Sequence, residues 1–183
     1  MIDPAAGVLL ISDPFLKDPN FLRTVVLICE NDEDGTFGLV VNRQYKNTLD
    51  EIFPELEGFK IPVYYGGPVQ LDVMHFLHQY PDKIPGSIKL LNGVYWGGNF
   101  EVISALLRSG EIDADGIRFI IGYSGWSGGQ LDEEMKEKSW LTVEATRNII
   151  FHKDIKEIWK EALRHLGGEY EMMINFPIDP QMN

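Results

Sequence analysis

The sequence contains a single cysteine, Cys29, so no disulfide can form within the chain. A lone thiol fits a reducing compartment, where disulfide staples are rare. Basic residues are also scarce: 16 Lys and Arg face 28 Asp and Glu, giving a formal net charge of −12. Nucleic-acid affinity rests largely on cationic side chains that neutralise phosphates. No window is rich in Lys or Arg, and Lys136 and Lys138 are diluted by Glu133, Glu134 and Glu137. Direct nucleic-acid binding is therefore opposed. Long apolar runs are missing too, since Val25–Cys29 and Val8–Ile11 fall far short of the roughly 20 residues that span a membrane. The opening Met1-Ile2-Asp3-Pro4 lacks the charged-then-apolar order of a secretory signal. These absences together imply a cytoplasmic protein with no membrane segment. With four histidines and one cysteine there are few ligands for a closed zinc site. His75 and His78, three apart on a candidate strand, would point to opposite faces. No metal or cofactor is expected.

What is present is enough for one ordinary domain. A chain of 183 residues can bury about 70% of its unfolded surface without staples. No linker, repeat or low-complexity stretch divides it, so residues 1–183 read as one domain with an irregular tail from about Asn175. The first half reads as strands. Gly7–Ile11, Thr24–Glu30 and Thr36–Asn42 are near-continuous apolar runs of the kind covered on both faces, and Asp34-Gly35 marks a hairpin. Further strands are expected at Pro62–Tyr65, Val73–Gln79, Ile88–Leu91 and Val94–Trp96. Thr48 and Glu51 have the spacing of a capping box for a short helix ending near Pro54. In the second half, Asn99 caps a helix over Phe100–Arg108 that Gly110 ends. Ile117–Ile121 is a buried strand that leads through a glycine-rich turn into a helix near Gln130–Lys138. Asp154 opens a last helix, Ile155–Leu166, with an apolar stripe through Ile158, Trp159, Ala162 and Leu163. Strands and helices are mixed rather than alternating, which favours α+β.

Several short motifs stand in a fixed order. Gly7–Leu10 comes first, with Asp13-Pro14, Asp18, Phe21 and Arg23–Val25; then Gly35–Arg43, Tyr65–Val69, Gly122–Glu134 and Trp140. In that ordered set the chain resembles the YqgE/AlgH family over roughly Gly7 to Gly167. The family often has Glu-His where Glu30-Asn31 stands, alanine at the places of Ser124 and Ser127, and proline at that of Gly128. The resemblance implies a mixed, bifurcated sheet curled into a partial barrel with flanking helices. It also implies a bacterial cytoplasmic protein of unassigned biochemical activity, with a transcriptional-regulator label attached to one branch.

Gly122–Glu134 carries the candidate chemistry. Strand, glycine turn and helix start form a geometry that often binds anions, but Asp132, Glu133 and Glu134 already complement the helix dipole and would repel phosphate. Gly125-Trp126-Ser127-Gly128-Gly129 matches G-x-S-x-G, and Asp154 and His165 follow in the order of a hydrolase triad. The resemblance, with its frequent alanine at the Ser127 position, argues against a family-wide nucleophile there. The glycines then serve backbone shape, and Trp126 and Tyr123 plug a cavity edge or line a shallow pocket. Gly66 and Gly67, in a second rigid turn, could border the same groove. Arg43 either orients a ligand or ties down an acidic loop through Asp13 or Asp18, and the ion pair is the favoured reading. Cys29, in an apolar strand, reads as a small hydrophobe. The best overall reading is a non-enzymatic binding or regulatory protein that engages an unidentified protein or small molecule. A serine hydrolase using Ser127 is the alternative.

Overall fold

Two apolar runs separated by an acidic turn start the sheet. In the computed structural model, which describes residues 1–16 and 18–177, β1 (Val8–Ser12), β2 (Val25–Asp32) and β3 (Gly35–Val40) pair antiparallel in succession. Glu33 and Asp34 connect β2 to β3, where the turn signal puts the hairpin. β4 (Gln44–Thr48) runs into α1 (Leu49–Ile52), followed by β5 (Pro62–Tyr65), β6 (Val69–His78), β7 (Ile88–Leu91) and β8 (Val94–Trp96). Then come α2 (Phe100–Ser109), β9 (Ile117–Ser127), α3 (Gln130–Lys136) and β10 (Trp140–Glu144). α4 (Arg147–Ile150), α5 (Ile158–Leu166) and α6 (Tyr170–Met173) complete the described elements.

The strands form one ten-stranded sheet in the order β10-β1-β2-β3-β9-β6-β8-β7, with the β4–β5 ribbon branching from β9. β9 is where the sheet forks. Phe119–Ile121 pair in parallel with β5, whereas Ser124–Ser127 pair antiparallel with β3, and β6 lies opposite β5. The result is an α+β fold with a curled half-barrel sheet and flanking helices, as the family resemblance implies.

Alternation along the strands sorts the core into faces. Leu9, Ile11, Val25, Leu27, Leu39 and Leu141 pack with Ile158, Trp159, Ala162 and Leu163 of α5. Their neighbours Val8, Leu10, Val26, Ile28 and Val40 pack instead with Trp126, Leu131 and Trp140. Both faces of this half are therefore covered, by α5 on one side and α3 on the other. The fork's other half buries Val63, Phe76, Ile117, Phe119 and Ile121 with Ile103 and Leu107 of α2. Asn99 caps α2 by accepting from the Glu101 and Val102 N–H groups, and Gly110 closes it in the left-handed region at φ 74°. Among the described residues no helix is long and apolar enough to cross a membrane.

Four local expectations are corrected. Gly122–Ser127 is not a turn but the second half of β9; only Gly128-Gly129 separates it from α3. Thr48 stands at the start of α1, yet its hydroxyl donates to the Asp50 and Glu51 carboxylates and caps no backbone N–H. Ile155–Glu157 is a 3-10 turn held by the Asp154 side chain, and the α-helix begins at Ile158. β4 and β10 are additional strands. Asn175–Pro177 carry no helix or strand, and the remainder of the expected irregular tail lies outside the described residues.

Candidate functional site

The fork in the sheet needs chains closer together than side chains normally permit. Gly66 donates its N–H to the Ile121 carbonyl at 2.7 Å, while its own carbonyl accepts from Val40 N–H at 2.9 Å and the Ser124 hydroxyl at 3.2 Å. One residue thus ties β3, β5 and β9 together. Gly122 sits opposite, at φ 72°, where a Cβ would lie 2.4 Å from the Gly67 carbonyl oxygen. Gly67 reciprocates: a Cβ there would lie 2.2 Å from the Tyr123 backbone. Only hydrogen fits between these two segments. Gly66 and Gly67 are both buried; a Cβ on Gly66 would meet the Gly122 carbonyl oxygen at 2.4 Å and the Ile120 side chain at 2.5 Å.

Beyond the fork, β9 alternates Tyr123 and Gly125 with Ser124 and Trp126. Trp126 is only 6% exposed, and its indole packs edge to face on Trp140 with centroids 5.9 Å apart. Both indole N–H groups donate to the same Oε2 of Glu134, at 2.9 and 2.7 Å. Glu134, one turn into α3, so fastens the helix to the ends of β9 and β10. Gln130 contributes by donating to the other oxygen of Glu134 at 3.1 Å. Charge-assisted bonds of this kind are stronger than neutral ones.

The β2–β3 hairpin and the end of β9 enclose an open cleft of about 440 Å³. Its walls carry Glu30, Asp32, Asp34, Thr36, Phe37, Tyr123, Gly125, Trp126 and Ser127, so three carboxylates face it with no basic side chain. Asp32 Oδ1 accepts from the Asp34 and Gly35 N–H groups at 2.8 and 3.2 Å, which fixes the turn. Thr36 donates its hydroxyl to the Asn31 side-chain oxygen. Phe37 and Tyr123 stack with centroids 4.3 Å apart, and His75 and Trp96 close around Phe37 at 5.3 and 5.2 Å. Burial lowers the His75 pKa below its ordinary value, favouring the neutral ring.

Among the residues singled out from sequence, Tyr123 and Trp126 both border the cleft but from opposite faces of β9, Tyr123 stacked on Phe37 and Trp126 packed on Trp140, with Ser127 beside them. Gly66 and Gly67 stand behind them at the fork. Arg43 lies apart: its guanidinium donates to Thr24 Oγ1 at 3.1 Å and to the Pro19 carbonyl at 3.5 Å, and among the described residues it pairs with neither Asp13 nor Asp18. It does tie down that loop, but through a hydroxyl and a carbonyl rather than an acid. Ser127 is exposed, its N–H and hydroxyl both donating to Gln130 Oε1 at 3.1 and 3.3 Å. Asp154 accepts the Lys156 N–H, and no histidine is among the partners of Ser127 in the described residues. The hydrolase reading has no support. Cys29 is buried, and burial, with Glu30 adding to it, pushes its thiol pKa well above the ordinary range. His75 adjoins Trp96 while His78 stacks on Tyr95, the next residue along β8, so the two histidines do occupy opposite faces. Sequence reasoning missed Glu30, Thr36 and Phe37 as cleft residues; the available signal was the acidic Asp32–Asp34 turn preceding an aromatic inside a motif.

A family model described as AlgH-like matches residues 9–171. A UPF0301 protein of Chlorobium limicola is 41% identical over 177 residues, covering 97% of this chain and 95% of the relative. One from Cytophaga hutchinsonii is 36% identical over 178 residues, covering 97% and 98%. The solution structure of the AlgH protein from Pseudomonas aeruginosa superposes with a TM-score of 0.74 at 28% identity, covering 97% of this chain and 98% of that one. A crystal structure of a protein from Corynebacterium diphtheriae reaches a TM-score of 0.79 at 20% identity, covering 96% and 94%, a likeness of fold.

Proposed function

The chain belongs to the AlgH-like family, and from that premise and the shape of the site we propose that it is a non-enzymatic binding protein with a regulatory role. Its recognition surface is the acidic aromatic cleft at the end of β9. One observation carries this reading: Glu30, Asp32 and Asp34 line a cleft of about 440 Å³ with Phe37 and Tyr123 and no cation among its walls. Such a wall favours a partner group that is positively charged and has an apolar or planar body, presented by a protein or a small molecule. Tyr123 is the contact residue, Trp126 stiffens the cleft from the core side, and Gly66 and Gly67 hold the backbone behind it, while Arg43 fastens the Pro19–Thr24 loop outside the cleft. We also take residues 1–183 as one domain and the compartment as the cytoplasm, for which the single buried thiol of Cys29 is the support.

The test uses spermine as the cationic probe, followed by calorimetry at low and physiological salt. Saturable binding that weakens roughly tenfold in the Glu30→Gln/Asp34→Asn variant, and weakens with salt, is the expected result. Equal binding by the variant would remove the cleft as the recognition surface.

A further inference from the structure

A second cleft, of about 600 Å³, has the opposite character. It lies between the end of β6, the 3-10 turn at Ala114–Gly116, and α4 with the loop that follows it. Arg147, His152 and Lys153 stand on its walls with the amides of Gln79 and Asn148, against one carboxylate, that of Asp115. In a chain of net charge −12, a cation ordinarily finds an acid close by. The ion pairs among the described residues are Lys136–Glu133, Lys160–Glu157 and Arg164–Glu161, all elsewhere; neither Arg147 nor Lys153 has a carboxylate partner there.

Arg147 and His152 are fixed by local contacts, while Lys153 is exposed. The carbons of the Arg147 side chain lie over the β7–β8 turn, so close that a Cβ on Gly93 would be 2.8 Å from Arg147 Cδ. Arg118 adds a further positive charge behind the wall. Its guanidinium sits over the rings of Tyr64 and Phe151, at 5.2 and 5.6 Å, and donates to the His152 carbonyl at 2.7 Å, while its buried Nε finds no partner. His152 Nδ1 accepts the Asp154 N–H at 3.0 Å, which places the proton of the ring on Nε2 and makes that nitrogen a donor. A guanidinium, an ammonium, an imidazole N–H and two amides form a donor-rich wall suited to a multivalent oxyanion. Phe151 offers an apolar surface beside it. The volume lies within the range of small-molecule sites, about 300–1,000 Å³.

We propose that the cleft beside α4 binds a small oxyanionic ligand, a phosphorylated or polycarboxylated molecule, through Arg147, Lys153 and His152. The site is independent of the acidic cleft and of what that cleft recognises. Long polyanions are disfavoured, because the surrounding surface repels them before the few local cations are reached.

The experiment is an amide-resolved NMR titration of the whole chain at physiological salt with pyrophosphate, citrate and a short DNA duplex in separate arms. Saturable shifts at Gln79 and over residues 147–153 with pyrophosphate, citrate or both are expected, and which anion binds more tightly identifies the chemistry. Arg147→Gln/Lys153→Gln should weaken that binding by roughly tenfold or more, while Arg147→Lys retains part of it. Duplex binding as tight as pyrophosphate binding would overturn the small-ligand assignment. Shifts absent with both small anions, or unchanged in the double variant, would overturn the site.

Discussion

The two clefts differ in sign, and they also differ in what holds their walls. The acidic cleft is made by backbone: strand register places Thr36 opposite Trp126 and Phe37 opposite Gly125, and a carboxylate bonded to two indoles clamps the end of β9 to α3 and β10. The basic cleft is made by side chains from three segments distant in sequence, two of them turns or loops. The register and the Glu134 clamp of a wall that belongs to the sheet cannot be altered without cost to the fold, although its carboxylates at Glu30, Asp32 and Asp34 are exposed. A wall of exposed side chains can. The net charge of −12 describes neither region; it is an average that conceals a local reversal.

The comparison can be broken in four ways. The largest effect is expected for Glu134→Leu, which leaves two buried indole N–H groups unpaired at about 1–3 kcal/mol each, a total near 2–5 kcal/mol after partial relaxation. Arg147→Gln should stay within about 0.5 kcal/mol, as exposed substitutions generally do. Urea denaturation of both variants measures the contrast, and comparable losses would contradict it. Next in size, Glu30→Gln/Asp34→Asn should lose roughly tenfold in spermine affinity while pyrophosphate binding at the other cleft is unchanged. Calorimetry with both probes on one variant reads the two clefts separately.

A smaller effect concerns pH. Burial lowers the pKa values of His75 and His78 below the ordinary 6.5, so the folded state binds fewer protons than the unfolded chain as pH falls. Their contribution to stability is fully present above about 6.5 and is lost as pH drops below it toward the folded values. The urea midpoint should therefore fall between pH about 7.5 and about 5.5, and His75→Phe, which keeps a ring against Phe37 and Tyr123, should make that fall shallower. An unchanged slope in the variant would place the titration elsewhere. The smallest effect belongs to Ser127→Ala, expected to move stability by under about 0.5 kcal/mol. Wild-type protein should not be labelled by a fluorophosphonate, and covalent labelling at Ser127 would revive the hydrolase reading.

The sheet was legible from sequence where its strands are buried on both faces. β1, β2 and β3 carry runs of β-branched and aliphatic residues, β5 adds Val63 and two tyrosines, and β7–β8 turn on Asn92-Gly93. β4 escaped because Gln44–Thr48 is polar and half exposed, so neither period nor hydrophobicity marks it. The end of β9 was misread for a physical reason: glycines that usually bend a chain here allow Gly122 and Gly67 to pass within reach of each other inside a continuing strand. The acidic cleft was half legible, with Tyr123 and Trp126 visible in their motif. Its other wall arrives through β3–β9 pairing, which no local window contains. The basic cleft was partly written in residues 147–153, which hold Arg147, His152 and Lys153 without an acid, but Gln79 and Asp115 meet that segment only in the folded chain.

The central claim, that the end of β9 and the β2–β3 hairpin form a recognition site for a positively charged group, is tested most directly by an amide-resolved spermine titration of the unmodified protein. Saturable shifts concentrated at Glu30–Phe37 and Tyr123–Ser127, with residues 147–153 unmoved, are the predicted result. Weak, non-saturating shifts spread over all the acidic surface would contradict it.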